Sequence, residues 1–400
     1  MRLLILVDCY LPSHKSSAKL AHDLGVEFHR QGHEVTILAP SNGISQNFEV
    51  SMENGLRIVR VRTPRIKGAS KLLRGINEVR LSSLVFKRAG TFLRKHPSDL
   101  IVFYSPTIFW GKLVARLKSL WRCPAYLILR DIFPQWAIDA GVLSRGLIYE
   151  YCRRKEIQQY DQADVIAVQS PGDAKYFANN FAHQRYQLEV LYNWTATDEN
   201  SLPETQYRAK FGLQNKVVFF YGGSLGVAQD VDNILRLASS LADHSEIHFL
   251  IVGDGAEAPR LRKIIADNNH CNILMLPPVE QREYLKMVSE FDVGLITLDR
   301  RLTTHNIPGK LLAYMNWAMP ILGSINPGND LFELIEKAAA GFCVENGQDE
   351  AFRIAALKLA LDVQLRVRMG KNARSLLERT FSARAAAQQI LKAAPRLSRK

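Results

Sequence analysis

The chain has 400 residues, 47% of them hydrophobic and 23% charged, and a net charge of +13. That length exceeds what one hydrophobic core usually fills, so two domains are expected, and the composition is that of a soluble globular protein. No apolar stretch of ~18 residues or more occurs, which excludes a spanning helix, and the Leu3–Val7 run that Asp8 ends is too short for an export signal; the expected location is the cytoplasm.

Leu3–Val7 reads instead as a first buried strand. Ser17–Gln31 follows as a helix, with Leu20, Leu24 and Phe28 on one face and Gly32 as its stop. Further strands are expected at Glu34–Ala39, Arg57–Arg62, Leu100–Tyr104, Ala125–Leu129, Val165–Ala167 and Leu188–Leu191, with helices between them. Apolar strands alternating with helices mean a parallel sheet covered on its faces.

The positive charge is concentrated. Between Arg60 and Arg122 there are 15 Lys or Arg against two acids, Glu78 and Asp99, so this segment alone carries +13 and the rest of the chain is balanced. A one-sided field of this kind attracts a polyanion. Within it, Lys71–Arg88 sets apolar and basic residues at helical spacing, which suits either an interfacial helix on anionic lipid or a solvated helical face. An anionic membrane surface is the expected partner. Nucleic acid is not, because no aromatic-interleaved reading motif accompanies the charge.

Thr195 to Tyr207 is polar, contains Pro203, and reads as a linker. A second alternating set follows, with strands at Val217–Tyr221, His248–Val252, Asn272–Leu276, Val293–Thr297, Pro320–Gly323 and Gly341–Val344, then a helical tail from Ala351 to Lys392 and a frayed end at Arg396–Lys400. The organisation expected is a first Rossmann-like domain over 1–196, a second over 207–375, and a helix and tail over 376–400 that crosses back to the first. Two doubly wound domains of this class imply a cleft, with ligands outside the carboxyl ends of the strands.

Four motifs sit at such ends. Tyr221-Gly-Gly-Ser-Leu-Gly-Val-Ala-Gln-Asp230 follows a strand and precedes a helix, as a phosphate cradle or a tight turn. Ile251-Val-Gly-Asp-Gly-Ala256 is a second strand-end turn, lining the same place or merely turning. Thr303-Thr-His-Asn-Ile-Pro-Gly-Lys310 opens a helix, and a cation in a first helical turn is out of place unless an anion is present. Arg130-Asp131-Ile-Phe-Pro-Gln-Trp136 puts a carboxylate at a strand end, where it can orient or deprotonate an acceptor hydroxyl, or pair with the arginine or cap a helix. The triplet Asp230-Val-Asp232 reads as helix capping rather than a metal site. Five scattered cysteines without a CxxC pair read as reduced and mostly buried.

Together these residues resemble the family 4 glycosyltransferases, which have the GT-B fold, and more narrowly the fucosamine-type transferases of O-antigen and capsule assembly. Arg130-Asp-Ile-Phe-Pro134, Tyr192-Asn-Trp194, the Gly223-to-Gln229 turn, Val252-Gly-Asp-Gly255 and Ile307-Pro-Gly-Lys310 fall in that family's order over nearly the whole chain. The resemblance implies an α/β GT-B fold of two Rossmann-like domains and a retaining, metal-independent transfer with no cofactor beyond a UDP-sugar co-substrate. It implies an N-acetylated deoxyhexosamine as the sugar and an undecaprenyl-diphosphate-linked acceptor, in O-antigen or lipopolysaccharide assembly at the inner face of the plasma membrane. Catalytic roles fall to Asp131 and Lys310. Donor binding falls to Gly223, Ser224, Gly226 and Gln229, to Gly253 and Asp254, and to His305, Asn306, Pro308, Gly309, Leu311 and Tyr314. The chain departs from the family at His305 and Ala313, where a glutamate pair is usual, and at Ser16-Ser17, where the acceptor loop usually has two glycines. A nucleotide-sugar epimerase of the same fold and a non-catalytic assembly partner are the competing readings.

Overall fold

The computed structural model describes all residues except 14, 65–70, 140–142, 182–185, 198–205, 269, 303–306 and 398–400. The chain forms two compact units, Met1–Ala196 with Ser382–Lys400, and Thr197–Phe381.

The first unit holds eight strands: β1 Arg2–Leu6, β2 Glu34–Ser41, β3 Phe48–Glu53, β4 Leu56–Arg62, β5 Leu100–Tyr104, β6 Ala125–Ile128, β7 Val165–Val168 and β8 Leu188–Val190. Their order is β3-β4-β2-β1-β5-β6-β7-β8, parallel apart from β3, which runs antiparallel to β4. The central strands are unbroken apolar runs, such as Leu3-Leu4-Ile5-Leu6 and Leu100-Ile101-Val102-Phe103, because both faces of a parallel sheet are covered. On one face the helix Ser16–Arg30 packs through Leu20, Leu24 and Phe28 together with the last helix, Ala383–Leu397. That last helix contributes Ala383, Ala386, Ala387, Ile390, Ala393 and Ala394 to the core. Buried Trp194 locks the end of β8's connection by donating its indole N–H to the Leu20 carbonyl at 2.9 Å.

The opposite face carries the helices Lys71–Lys95, Gly111–Trp121, Leu147–Tyr160 and Pro171–Asn180. Here the two readings of Lys71–Arg88 can be compared only in part, since the side chains of 71–74 and 76 lie outside the described residues. From Leu81 onward the apolar stripe, Leu81, Val85, Ala89 and Leu93, is buried against the sheet, as a solvated helix would have it, and the side that carries Lys87, Arg94 and Lys95 faces solvent. Helical periodicity showed that an apolar face exists; the sheet is what covers it.

The β3–β4 hairpin is an element beyond those expected. Its two-residue turn, Asn54-Gly55, has φ of 50° and 78°, the left-handed pair that a tight hairpin turn demands.

The second unit's sheet contains β9 Val217–Gly222, β10 Ile247–Val252, β11 Ile273–Leu276, β12 Val293–Thr297, β13 Ile321–Ile325 and β14 Gly341–Glu345, all parallel, in the order β11-β10-β9-β12-β13-β14. This is the doubly wound order whose strand sequence reverses between its first and fourth members, here β9 and β12. The tail is three helices: Asp349–Leu361, Val363–Leu376 and, after a π-helical turn at Leu377–Phe381, Ala383–Leu397. Asp362 separates the first two by accepting a hydrogen bond from the Leu365 N–H at 2.8 Å. Residues 396 and 397 continue the helix, and 398–400, expected to fray, lie outside the described residues. All five cysteines are free; Cys123 and Cys152 are buried, but Cys271 is exposed, against the expectation of mostly buried thiols. Among the described residues no helix is long and apolar enough to cross a membrane.

Candidate active site

In the second unit the reversal point between β9 and β12 gathers the glycine turns and Lys310. β9 ends at Tyr221-Gly222, and the chain turns at Gly223, whose φ of 144° a residue with a Cβ rarely adopts. Lys310 is the first residue of the helix Lys310–Asn316. Its ammonium lies 3.5 Å from the centre of the Tyr221 ring. Its Cε and Nζ fill the space beside Gly223, where a Cβ would stand 3.3 and 3.4 Å away. The lysine is half-buried, and among the described residues no carboxylate pairs with it. Burial alone pushes its pKa down to about 7. A cation over an aromatic face with no carboxylate in reach is an arrangement that an incoming anion completes.

The surrounding aromatics hold this pair in place. The Tyr221 hydroxyl donates to the Ser224 carbonyl at 2.8 Å, closing the turn on itself. Buried Tyr314, one turn after Lys310, accepts from the Gly222 N–H at 3.1 Å. Tyr284 packs on Gly222 so closely that a Cβ there would lie 2.2 Å from its ring. Gly223 and Ser224 are exposed.

The second glycine motif supports the first. A Cβ on Gly253 would sit 1.9 Å from the Gly223 carbonyl oxygen, and one on Gly255 would sit 2.3 Å from that of Leu225. Backbone bonds join the two turns: Gly223 N–H to Val252 O at 2.9 Å and Leu225 N–H to Asp254 O at 2.9 Å. Asp254's side chain is exposed at the turn.

Other candidates are engaged elsewhere. Gln229 turns back, its side-chain oxygen accepting from the Gly226 N–H at 3.1 Å. Leu311 is fully buried, and its N–H bonds to Pro308 O at 3.1 Å. Pro308 and Gly309 precede Lys310 at the accessible start of its helix. His305 and Asn306 lie outside the described residues. The Asp230-Val-Asp232 triplet makes no side-chain cap, which corrects that expectation. Asp230 instead accepts from the Asn346 amide at 2.8 Å, and Asp232 pairs with Arg260. Among the described residues no group of three or more His, Cys, Asp or Glu side chains is arranged to hold a metal ion.

In the first unit the corresponding reversal lies between β1 and β5, and it is acidic. Asp131 follows β6 with its carboxyl exposed, making no hydrogen bond or ion pair among the described residues. Surrounding protein raises its pKa and the nearby charge of Asp8 raises it further, while Arg130 opposes both. Asp8 follows β1, and Tyr104, at the end of β5, feels both carboxylates. The Arg130 guanidinium does not pair with Asp131. It donates to the carbonyls of Leu191 and Tyr192 and lies 5.3 Å from the centre of the Trp194 ring, fastening β6 to the segment after β8. Sequence reasoning missed Asp8 and Tyr221 as site residues. The signal for Asp8 was its place directly after the first apolar run. Tyr221 gave none, since its meaning depends on a lysine 89 positions later (310 − 221).

Comparison with known proteins agrees with this architecture. The "Glycosyl transferase 4-like domain" matches residues 17–194, and "Glycosyl transferases group 1" matches residues 203–376. The probable glycosyltransferase WbjE of Pseudomonas aeruginosa is 25% identical over 262 residues, 64% of each chain. The alpha-D-kanosaminyltransferase of Streptomyces kanamyceticus is 25% identical over 187 residues, 46% of this chain and 47% of that one. The chain thus spans less than two thirds of the length of these curated relatives. Among solved structures, Anabaena Alr3699/HepE, in complex with UDP, superposes with a TM-score of 0.65 at 16% identity, covering 98% of this chain and 99% of that one.

Proposed function

We propose a donor and an acceptor for this chain, which belongs to the family 4 glycosyltransferases of the GT-B fold: it moves a sugar from a UDP-sugar to a lipid-linked acceptor in bacterial surface polysaccharide assembly. The observation that carries this reading is Lys310, a half-buried lysine with no carboxylate partner among the described residues, over Tyr221 and beside the exposed backbone of Gly223 and Ser224. A donor diphosphate seated there would find its countercharge already in place. As the bond between the sugar C1 and the diphosphate oxygen breaks, negative charge grows on the leaving group, and Lys310 stabilises it without reorganising. HepE, of the same fold, binds UDP, which favours that nucleotide here.

On the first unit, Asp131 is the acceptor-side group. Its exposed carboxyl, with a raised pKa, accepts a hydrogen bond from the attacking hydroxyl and orients it. The acceptor is undecaprenyl-diphosphate-linked, and the basic segment Arg60–Arg122 draws the protein to the inner face of the plasma membrane. The transfer retains configuration and uses no metal. The sugar is an N-acetylated deoxyhexosamine; the relative that transfers kanosamine, an amino sugar by its name, favours this class. Ala313, where the wider family has a glutamate, leaves the ribose to be held by other groups than a carboxylate.

The experiment is thermal unfolding against a panel of nucleotides and sugar nucleotides. A ligand at about 100 times its dissociation constant adds roughly 2.7 kcal/mol to the folded state. UDP and one UDP-sugar are expected to raise the midpoint, and Lys310→Ala to abolish the rise. A rise that survives Lys310→Ala would remove the lysine from the donor site, and with it the basis of this reading.

A further inference from the structure

Three helices of the first unit lie side by side over one face of its sheet: Lys71–Lys95, Gly111–Trp121 and Leu147–Tyr160. They are tightly packed; a Cβ on Gly111 would come within 3.0 Å of the Gln159 backbone. The third helix is anchored through buried Cys152, Gln159 and Tyr160. Its first turn is the opposite. Leu147 is 90% exposed, Ile148 68% and Tyr151 40%. Two adjoining large aliphatic side chains left in water, on a helix otherwise firmly seated, need a cover.

The charges around them indicate its chemistry. Lys112, Arg145 and Arg154 are exposed, and among the described residues none of them, nor Lys155, is in an ion pair. Lys155 lies 5.5 Å from the Tyr151 ring, and burial first, then the charge of nearby Lys112, lowers its pKa. Over residues 143–155 the one acid is Glu150, against Arg145, Arg153, Arg154 and Lys155. An apolar tip inside an unpaired cationic collar complements a layer of anionic phosphates with hydrocarbon beneath it.

We propose that the start of the helix Leu147–Tyr160 is a membrane insertion tip: Leu147 and Ile148 enter an anionic bilayer while Lys112, Arg145, Arg154 and Lys155 hold its phosphates. The tip supplies an apolar anchor separate from the stripe Leu81 to Leu93 of Lys71–Lys95, which faces the sheet. The inference rests on the membrane-bound acceptor proposed above and names the surface that reaches it.

The test is co-sedimentation of the full chain with vesicles of phosphatidylglycerol and phosphatidylethanolamine, against phosphatidylcholine alone, at low and high salt. Wild type is expected on the anionic vesicles only, with a fraction retained at high salt. Leu147→Gln with Ile148→Gln should lose that fraction and lower the partition coefficient by about tenfold or more. Lys112→Glu or Arg154→Glu should weaken low-salt binding by about fivefold each. The inference is overturned if the double variant partitions like wild type, if neither vesicle binds wild type, or if wild type sediments alone as a dimer that the double variant abolishes, which would make a second copy the cover. Nucleotide-dependent thermal shifts on the same variants separate the two readings. Lost vesicle binding with an intact UDP shift concerns the tip alone, and intact vesicle binding without any UDP shift sinks the UDP-donor reading and leaves the tip.

Discussion

The two sheets place opposite charges at equivalent points. Where the second unit's strand order reverses, between β9 and β12, a lysine stands with no carboxylate among the described residues. Where the first unit's order reverses, between β1 and β5, Asp8 follows β1 and Asp131 follows β6, and burial and then the charge of Asp8 raise the pKa of Asp131. Both sheets are built from the same apolar runs, and neither acquires its sign from the fold. The doubly wound topology supplies a place where strand ends diverge, and one or two residues just past those ends decide what can be held there. A donor diphosphate suits the cationic end, and a hydroxyl that must be oriented suits the anionic one.

The largest expected effect tests the anionic end. Asp131→Asn should lower turnover by about 10²–10⁴-fold, the range for a lost acid–base group, while leaving the UDP thermal shift intact. On the proposed reading Asp131 works as the carboxylate, so activity should fall as pH drops through its pKa, which lies above the ordinary carboxyl value. Asp8→Asn removes the like charge, lowers that pKa, and should move the acidic limb of kcat/KM to lower pH. An unmoved limb would separate Asp8 from Asp131 electrostatically and end the comparison.

Next in size is the support beneath the cationic end. Gly253→Ala forces a methyl onto the Gly223 carbonyl oxygen, which belongs to backbone and cannot swing away. A loss of about 1–3 kcal/mol is expected, together with a weaker response to UDP, because the displaced turn is the one beside Lys310. Loss of stability with full UDP affinity would show that Gly253 shapes the fold without shaping the site.

The charge state of Lys310 gives a smaller, graded effect. In the ligand-free protein its pKa is about 7, from burial. A diphosphate binds the ammonium form. Below pH 7 the lysine already carries its proton and this group makes affinity independent of pH. Above pH 7 binding must take up a proton, and UDP affinity should fall by about tenfold per pH unit until the pKa of the complex is reached. The sign for stability is opposite. The unfolded chain holds this proton up to the ordinary lysine range, so the folded state gains stability as pH rises from about 7 toward that range. Isothermal titration of UDP across pH checks the first statement; a Lys310→Ala control with no such slope assigns it.

The sheets and their order were the most legible part of the chain, since buried parallel strands are continuous apolar runs and every expected run became a strand. The β3–β4 hairpin escaped notice although Asn54-Gly55 is its written signal, because β3 is half-exposed and has no apolar run of its own. The helix Lys71–Lys95 shows a different limit. Periodicity reports an apolar face but not its neighbour, so a core helix and an interfacial one look alike until the sheet is in view. At the site, Gly223 and Lys310 were readable as separate motifs, while their contact and the Tyr221 ring under the ammonium were not, since no local pattern records a meeting across 87 residues (310 − 223). Gln229 shows a local limit: its side-chain oxygen closes a turn, a use that sequence spacing does not distinguish from ligand binding.

The smallest expected effect sharpens the comparison from a second carboxylate pair. Asp230 and Asp232 are closer in sequence than Asp8 and Asp131, yet each has a partner of its own. Asp230, at a left-handed φ of 39°, is held by the Asn346 amide, which also bonds to the Leu298 carbonyl, whereas Asp232 faces Arg260 on the surface. Each carboxylate already has its partner, so neither has cause to gather a cation. Asp232→Asn removes an exposed ion pair and should cost no more than about 1 kcal/mol, with turnover unchanged before and after chelation. Turnover that falls with Asp232→Asn and recovers with added divalent metal would make this triplet a metal site, and would show that the anionic character assigned to the first unit alone is shared by the second.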